Sequence, residues 1–407
     1  MISKTQLFTL ALGLPSPWFV ERTSLDLEEG RLDIHLRFER GATFPCPVCK
    51  RPDCKVHDRQ GERTWRHMNF FQYKAFLHAR VPRVRCPDCG VKLVEIPWAR
   101  EGSGFTLLFE ALVMELAGAM PALTIGQLLG ETDKRIWRVL HHYTEDARAK
   151  VDMSDVRKVG VDETSSKRAH NYVTFFVDLD QRRLLFATEG KDASTVDAFR
   201  KDLEDHGGCA DNIVEISCDM SPAFIAGAQK NFPNANITFD KYHLVKVVND
   251  AVDKVRRAEQ KERAELKGSR YVWLKNQKNL TKKQAIRLES LTMKKRHLKT
   301  ARAYQIKLAF QDFWEQLPSQ AEPFLKKWYF WATHSRLQPV IDAARTIRKH
   351  WDGVLQWFSS RLTNAILEGI NSLVQAAKAR ARGYRTLKNF ICISYIIAGR
   401  LDFALPT

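Results

Sequence analysis

The stretch between Arg157 and Asp240 constrains the fold most, because short apolar runs of strand length alternate there with helical periodicity. It reads strand, strand, strand, helix, strand, helix, strand. The segments are Lys158 to Asp162, Tyr172 to Leu179, Arg183 to Thr188, Thr195 to Asp205, Ile213 to Asp219, Pro222 to Asn231 and Asn236 to Asp240. Asp162 closes Val159-Gly160-Val161-Asp162, and Asp219 closes Ile213 to Asp219. Carboxylates at the ends of adjacent buried strands converge on one rim of a sheet.

The order is that of an RNase H-like α/β domain, in which the first and fourth strands are central. A third acid, Glu368, lies in the helical segment Thr363 to Asn371. A helical Glu laid across the rim completes an oxygen-only site suited to two Mg²⁺ ions, or Mn²⁺ in their place. Ions roughly 3.5–4 Å apart clamp the attacking and leaving oxygens of an in-line phosphoryl displacement, so the chemistry expected of Asp162, Asp219 and Glu368 is phosphodiester cleavage or transfer. The plain alternative for any one of the 47 acids is a solvated surface position.

From Lys246 to about Gln356 strand signals vanish. The sequence becomes long, basic and helical, with Trp273, Trp314, Trp328, Trp331 and clusters such as Lys294-Lys295-Arg296. A long all-α insertion here explains why Asp219 and Glu368 lie 149 positions apart while sharing a site. Beyond it, Asn364, Glu368, Asn371 and Gln375 recur at helical spacing and share one face. Lys378, Arg380, Arg382, Tyr384 and Arg385 follow directly, as phosphate-fixing groups with a stacking ring or as an exposed basic helix end.

Five of the eight cysteines fall between positions 46 and 89, as Cys46-Pro-Val-Cys49, Cys86-Pro-Asp-Cys89 and the single Cys54. Each Cys-x-x-Cys knuckle turns both sulfurs toward one centre. Two knuckles supply the four thiolates of a closed, structural Zn²⁺ site. The 36 residues between them exceed the usual ribbon spacing, and Thr64 to Val84 reads as a hairpin that spans the gap. Cys54 and His57 compete as ligands.

Between Phe105 and Lys150 the apolar period is helical, and Leu123 to Leu140 reads as helix-turn-helix or as an ordinary helical hairpin. The break is at Gly130-Glu131-Thr132-Asp133, where Thr132 or Asp133 caps a second helix with Lys134, Arg135 and Arg138 on its exposed side.

The chain has 407 residues and 65 Lys and Arg, giving a formal net charge of +18 that points to a polyanionic partner, foremost double-stranded DNA. No apolar stretch reaches the ~20 residues of a spanning helix, so no membrane partner is expected. Met1 to Leu14 has one Lys before an apolar run but no good cleavage site. It reads as a folded N-terminal element of a cytoplasmic, nucleoid-associated protein. The overall expectation is a multidomain α+β chain: residues 1–100 a zinc-binding β module with N-terminal strands, 101–152 helix-turn-helix, 153–245 the first part of the catalytic core, 246–356 the helical insertion, and 357–407 the rest of the core with the Glu helix.

In combination, several motifs resemble the ISL-three family of bacterial insertion-sequence transposases over nearly the whole chain. They are the two knuckles, the helix-turn-helix, Val161-Asp162-Glu163, Cys218-Asp219-Met220-Ser221-Pro222-Ala223-Phe224, Phe239-Asp240-Lys241-Tyr242-His243, and Asn364 to Asn371 with Arg380 to Tyr384. The resemblance implies an RNase H-like DDE domain interrupted by helices, with the three acids at Asp162, Asp219 and Glu368. Asp240 and His243 belong to a family motif without an assigned role, and Cys54 is a departure from the family's cysteine pattern. The implied function is a transposase that binds its element's terminal inverted repeats, as a homodimer or larger assembly on DNA, then cleaves and joins strands. The alternatives are a non-cutting DNA-binding regulator and an RNase H-like nuclease without strand transfer.

Overall fold

The computed structural model describes residues 2–167, 171–293, 297–362 and 365–405. Asn364 and the Lys294-Lys295-Arg296 cluster lie outside the described residues. The chain divides into two compact units. One is Met1–Arg148 with Arg380–Arg382 and Leu401–Thr407, and the other is Ala149–Ala379 with Gly383–Arg400.

The first unit opens with α1 (Lys4–Ala11), held by a Ser3/Gln6 capping box. There follow β1 (Trp18–Asp26), β2 (Arg31–Phe38), β3 (Thr43–Phe44), β4 (Cys54–Arg66), β5 (Lys74–Cys86) and β6 (Gly90–Leu93). Sheet order is β1-β2-β5-β4-β3, with β6 paired to β5. Strict alternation in β2 turns Leu32, Ile34, Leu36 and Phe38 inward, so its register is fixed by the core. Trp18 packs edge-on against Phe38 and Trp98 at 5.4 and 4.8 Å between ring centroids. The hairpin expected at Thr64 to Val84 is longer, running from Cys54 to Cys86. Cross-strand pairing continues outward to Val56 and Val84, and the opposed Asp58 and Arg83 form an ion pair.

Three helices complete this unit: α2 (Leu107–Ala117), α3 (Ala122–Leu129) and α4 (Asp133–Ala149). Gly130, at φ 67°, ends α3 in the left-handed conformation, and the Thr132 carbonyl accepts from the Ile136 N–H to start α4. Ile125, Leu129, Ile136, Val139 and Leu140 are buried at the expected helical spacing. Glu110 is fully buried and accepts hydrogen bonds from Arg100, Ser103 and Tyr143. A buried carboxylate with this many donors is the arrangement that makes its burial tolerable.

The second unit contains β7 (Lys158–Lys167), β8 (Asn171–Asp178), β9 (Arg183–Glu189), α5 (Ala193–Asp205), β10 (Glu215–Cys218), α6 (Pro222–Asn231) and β11 (Asn236–Phe239). Their order in the sheet is β11-β10-β7-β8-β9. The strands β7, β8 and β9 form an antiparallel meander, whereas β10 and β11 run parallel to β7. Phe176, Phe199, Phe224 and Phe232 fill the space between the sheet and the helices α5 and α6.

From Lys241 to Ser360 every regular element among the described residues is helical: α7 (Lys241–Glu259), α8 (Arg270–Leu274), α9 (Lys282–Thr292), α10 (Lys299–Phe313), α11 (Pro318–Thr333), α12 (Gln338–Lys349) and α13 (Trp351–Ser360), with two short 3₁₀ turns. Phe310, Phe313, Trp314, Trp328, Trp357 and Phe358 belong to the same continuous core as the sheet residues Val159, Val161 and Ile216. The chain returns to the sheet through α14 (Ala365–Arg380) and α15 (Leu387–Ala398).

One strand differs from expectation where it matters. Asp162 does not close β7: the strand runs five residues further, because Glu163 to Lys167 keep pairing with β8. What ends near Asp162 is the neighbouring parallel strand, since β10 pairs only with Lys158, Val159 and Gly160.

Candidate catalytic site and metal centre

The parallel register places three aspartates level with one another. Ser217 pairs with Gly160, and Cys218 pairs with Phe239. Asp162, Asp219 and Asp240 therefore stand at one height on three adjacent strands that lie roughly 4.8 Å apart. The Asp240 N–H donates to the Cys218 carbonyl at 3.1 Å, which ties the end of β11 to the end of β10. Burial lifts the Asp162 carboxyl above its ordinary range, and the charges of Asp219 and Asp240 add to the effect. Glu163, half-buried next along β7, is raised by burial and by Asp219.

Asp240 also begins α7. One carboxylate oxygen accepts from the Tyr242 N–H at 3.1 Å, and the other meets His243 Nδ1 at 2.8 Å. That hydrogen bond, helped by the charges of Asp240, Asp162 and Asp219, raises the His243 imidazole above its usual value. The sequence singled out both residues without a role. The level of Asp240 in the sheet becomes visible only once β11 is known to lie beside β10.

Opposite the strand tips, α14 lies along β7 in matched steps. Leu367 packs over Gly160, Asn371 Nδ2 donates to Asp162 Oδ2 at 2.7 Å, and Gln375 Nε2 donates to Thr164 Oγ1 at 2.7 Å. Four helical residues advance about 6 Å and two strand residues about 6.6 Å, so the two elements stay in phase. Gly160 permits the approach: a Cβ there would sit 2.7 Å from Leu367 Cδ1 and 2.8 Å from Leu179 Cδ2.

Glu368, on the same helix, is exposed and shares the lining of a 680 Å³ groove with Asp240, Lys241, Lys278 and Trp314. Among the described residues, only four cysteines form a group of three or more His, Cys, Asp or Glu ligand atoms mutually within 4.8 Å. The three acids are thus more widely spread than ligands of a single ion. The donor set nonetheless fits hard divalent cations. It is all oxygen, its aspartates repel one another, and Asn371 Oδ1 beside Asp162 is buried without a hydrogen-bond partner among the described residues.

In the first unit, Cys46, Cys49, Cys86 and Cys89 bring their sulfurs within 4.8 Å of one another, with Cys49 and Cys86 at 3.5 Å. Tetrahedral Zn²⁺ with bonds of about 2.3 Å requires sulfurs about 3.8 Å apart, so the geometry fits a structural zinc. Against the opposing effect of burial, the Cys89 and Asp88 backbone N–H groups hold the Cys86 thiol down to about 6, while the Cys49 sulfur and burial push Cys89 up to about 12. Four thiolates at this distance repel without a cation between them. Cys54 is buried outside the group, with its thiol 3.6 Å from the Arg51 carbonyl, and His57 is exposed near Arg85.

The basic positions separate into two kinds. Lys134 and Arg138 are exposed on α4, as expected. Arg135 is half-buried: it pairs with Glu131 and lies 4.1 Å over the Phe105 ring, so its expected exposure is corrected. The sequence shows its helical position but not the ring opposite it. Lys378 donates to the Ser165 carbonyl at 2.6 Å, and Arg380 to the Ala119 carbonyl at 2.7 Å. Arg382 and Arg385 are exposed, and the Tyr384 ring lies 5.9 Å from Phe390. No described helix is long and apolar enough to cross a membrane.

Comparison with known proteins adds to this geometry. A transposase family model of the ISL3 group matches residues 159–394. A helix-turn-helix domain of transposase family ISL3 matches 94–144, and a zinc finger of the IS204/IS1001/IS1096/IS1165 transposases matches 42–89. The chain is 26% identical to the transposase for insertion sequence element IS1557 of Mycobacterium tuberculosis, over 96% of this chain and 95% of that protein. It is 27% identical to the transposase for IS1001 of Bordetella parapertussis, over 93% and 95%. With a zinc finger, a DNA-binding helix-turn-helix and a family match over more than half its length, this chain belongs to the ISL3 family of insertion-sequence transposases.

Proposed function

We propose that this protein is a DDE transposase that binds the terminal inverted repeats of its own element, cleaves a strand at each end and joins the freed 3′-hydroxyl to target DNA. The observation that carries the reading is the level placement of Asp162 and Asp219 on adjacent parallel strands, with the Glu368 helix locked in phase against β7. We infer from the strand order and directions that the sheet is an RNase H-like core. On that reading the helices between Lys241 and Ser360 are an insertion between the core's last strand and its Glu helix.

Asp162, Asp219 and Glu368 would hold two Mg²⁺ ions, or Mn²⁺, which supply a lowered pKa for the attacking hydroxyl and neutralise charge developing on the phosphate. The chain's own residues prepare that site. The Glu163 N–H and the Asn371 amide fix the two oxygens of Asp162 at 2.8 and 2.7 Å. The first reaction breaks one P–O bond at the element end with water. The second forms a new ester from the liberated 3′-hydroxyl and releases the 3′-oxygen of the target strand. Lys134 and Arg138 would contact phosphates of the end DNA, with Arg382 and Arg385 as further phosphate contacts and Tyr384 as a stacking ring. Pairing two ends calls for at least a homodimer on DNA, in the bacterial nucleoid.

The test incubates the full chain with Mg²⁺, a labelled inverted-repeat end and a supercoiled target. Joined product is expected from the wild type. Asp162→Asn, Asp219→Asn and Glu368→Gln should each lower cleavage by at least about 10³-fold while keeping end binding. Binding without cutting would make the protein a regulator, and cutting without joining a nuclease.

A further inference from the structure

Asn371 satisfies only half of its own hydrogen-bonding capacity. Its Nδ2 donates to Asp162 Oδ2, while its Oδ1 is buried with no partner among the described residues. A buried unpaired carbonyl costs roughly 1–3 kcal/mol, so an uncompensated oxygen at this place needs a reason. Its neighbours supply one. The other Asp162 oxygen is already held by the Glu163 N–H, and Asp219 and Asp240 stand level with Asp162 on the next strands. In a cluster of negative oxygens, one more carbonyl oxygen is favourable only toward a cation or toward water bound to a cation.

The backbone also argues that Asn371 is placed and not incidental. It is the middle rung of the ladder Leu367/Gly160, Asn371/Asp162, Gln375/Thr164, so its side chain meets the strand at the one carboxylate that faces the other aspartates. Glu368 lies one turn before it on the same helix.

We propose that Asn371 is the positioning residue of the divalent-cation site: its amide N–H sets the rotamer of Asp162, and its free Oδ1 contributes a fourth oxygen to the bound cation or to that cation's water. This rests on the reading of Asp162, Asp219 and Glu368 as cation ligands. An Asp162 carboxylate without its orienting partner samples other rotamers, and cation affinity falls before the fold does.

The experiment titrates Mn²⁺ into the full chain, followed by electron paramagnetic resonance, and measures in parallel the Mg²⁺ concentration that half-saturates end cleavage. Asn371→Leu keeps the branched shape and removes both polar atoms, and Asn371→Ala is a second, strong helix former should Leu fail to pack. Both should weaken Mn²⁺ binding about 10- to 100-fold and raise the half-saturating Mg²⁺ by the same factor. End-DNA binding should stay at its wild-type value and the cation-free thermal midpoint should not fall, whereas a merely structural loss would lower it. Mn²⁺ affinity within about twofold of wild type in a folded variant would overturn the proposal. Asp162→Asn is the control: if it too leaves Mn²⁺ binding unchanged, the cation-site reading itself fails, whereas loss in Asp162→Asn alone removes only Asn371.

Discussion

The zinc site and the proposed divalent-cation site of this chain are built in opposite ways. In the zinc module four sulfurs converge within 4.8 Å, carried by two tight turns at the ends of one hairpin. In the sheet unit the acids come from two parallel strands and a helix more than a hundred residues later, and they are not gathered to that degree. A structural zinc site is closed by its protein ligands and holds a fold together. On the proposed reading the acidic site must admit a phosphodiester, and carboxylates left apart leave room for one. Local turns suffice for the first, whereas the second depends on sheet register and on one helix keeping step with one strand.

The largest expected effect breaks the closed site. Cys86→Ser should drop the zinc content to background and remove the unfolding transition of the N-terminal module, a loss on the order of 5–15 kcal/mol, while the sheet unit still melts cooperatively. Zinc analysis with calorimetry of the full chain checks this. Cys54→Ser should retain zinc, and its loss there would move Cys54 into the ligand set.

A smaller effect sharpens the other half of the comparison. Gly160→Ala places a methyl 2.7 Å from Leu367 and 2.8 Å from Leu179, which we expect to cost about 1–3 kcal/mol and to shift α14 along with Glu368. Cleavage should therefore fall further than the stability loss explains, with zinc content unchanged. Denaturant unfolding alongside a cleavage assay separates the two, and full activity in a destabilised variant would show that the helix keeps its place without that contact.

The smallest effects concern α4. Arg138→Ala should reduce the salt dependence of end binding by about one unit of slope and leave stability intact. Arg135→Ala should do the reverse, costing about 1 kcal/mol through its Phe105 and Glu131 contacts with the salt slope unchanged. Equal slopes for both variants would remove the distinction between exposed and engaged arginines.

Where a feature is local, the sequence reveals it. The order of strands and helices from β7 to β11, the two cysteine knuckles and the Gly130 break are each written in a few adjacent residues; the order matches the reading, and the knuckles and the break stand where they were read. Features set by a distant partner were hidden. Asp162 seemed to end a strand because the apolar run stops there, yet pairing with β8 carries β7 on. Arg135 has the helical position of an exposed residue, and only Phe105 across the fold draws it in. Asp240 belonged to a family motif without a role, and its level in the sheet shows only once β11 is seen to lie parallel to β10.

The pairing of Leu367, Asn371 and Gln375 with alternate residues of β7 has a consequence for how such chains vary. The helix finds its seat by matching the strand's repeat, so the 124 residues between Asp240 and Ala365 do not dictate where it docks. On the proposed reading, that intervening stretch can change in length or surface without moving the helix that carries Glu368.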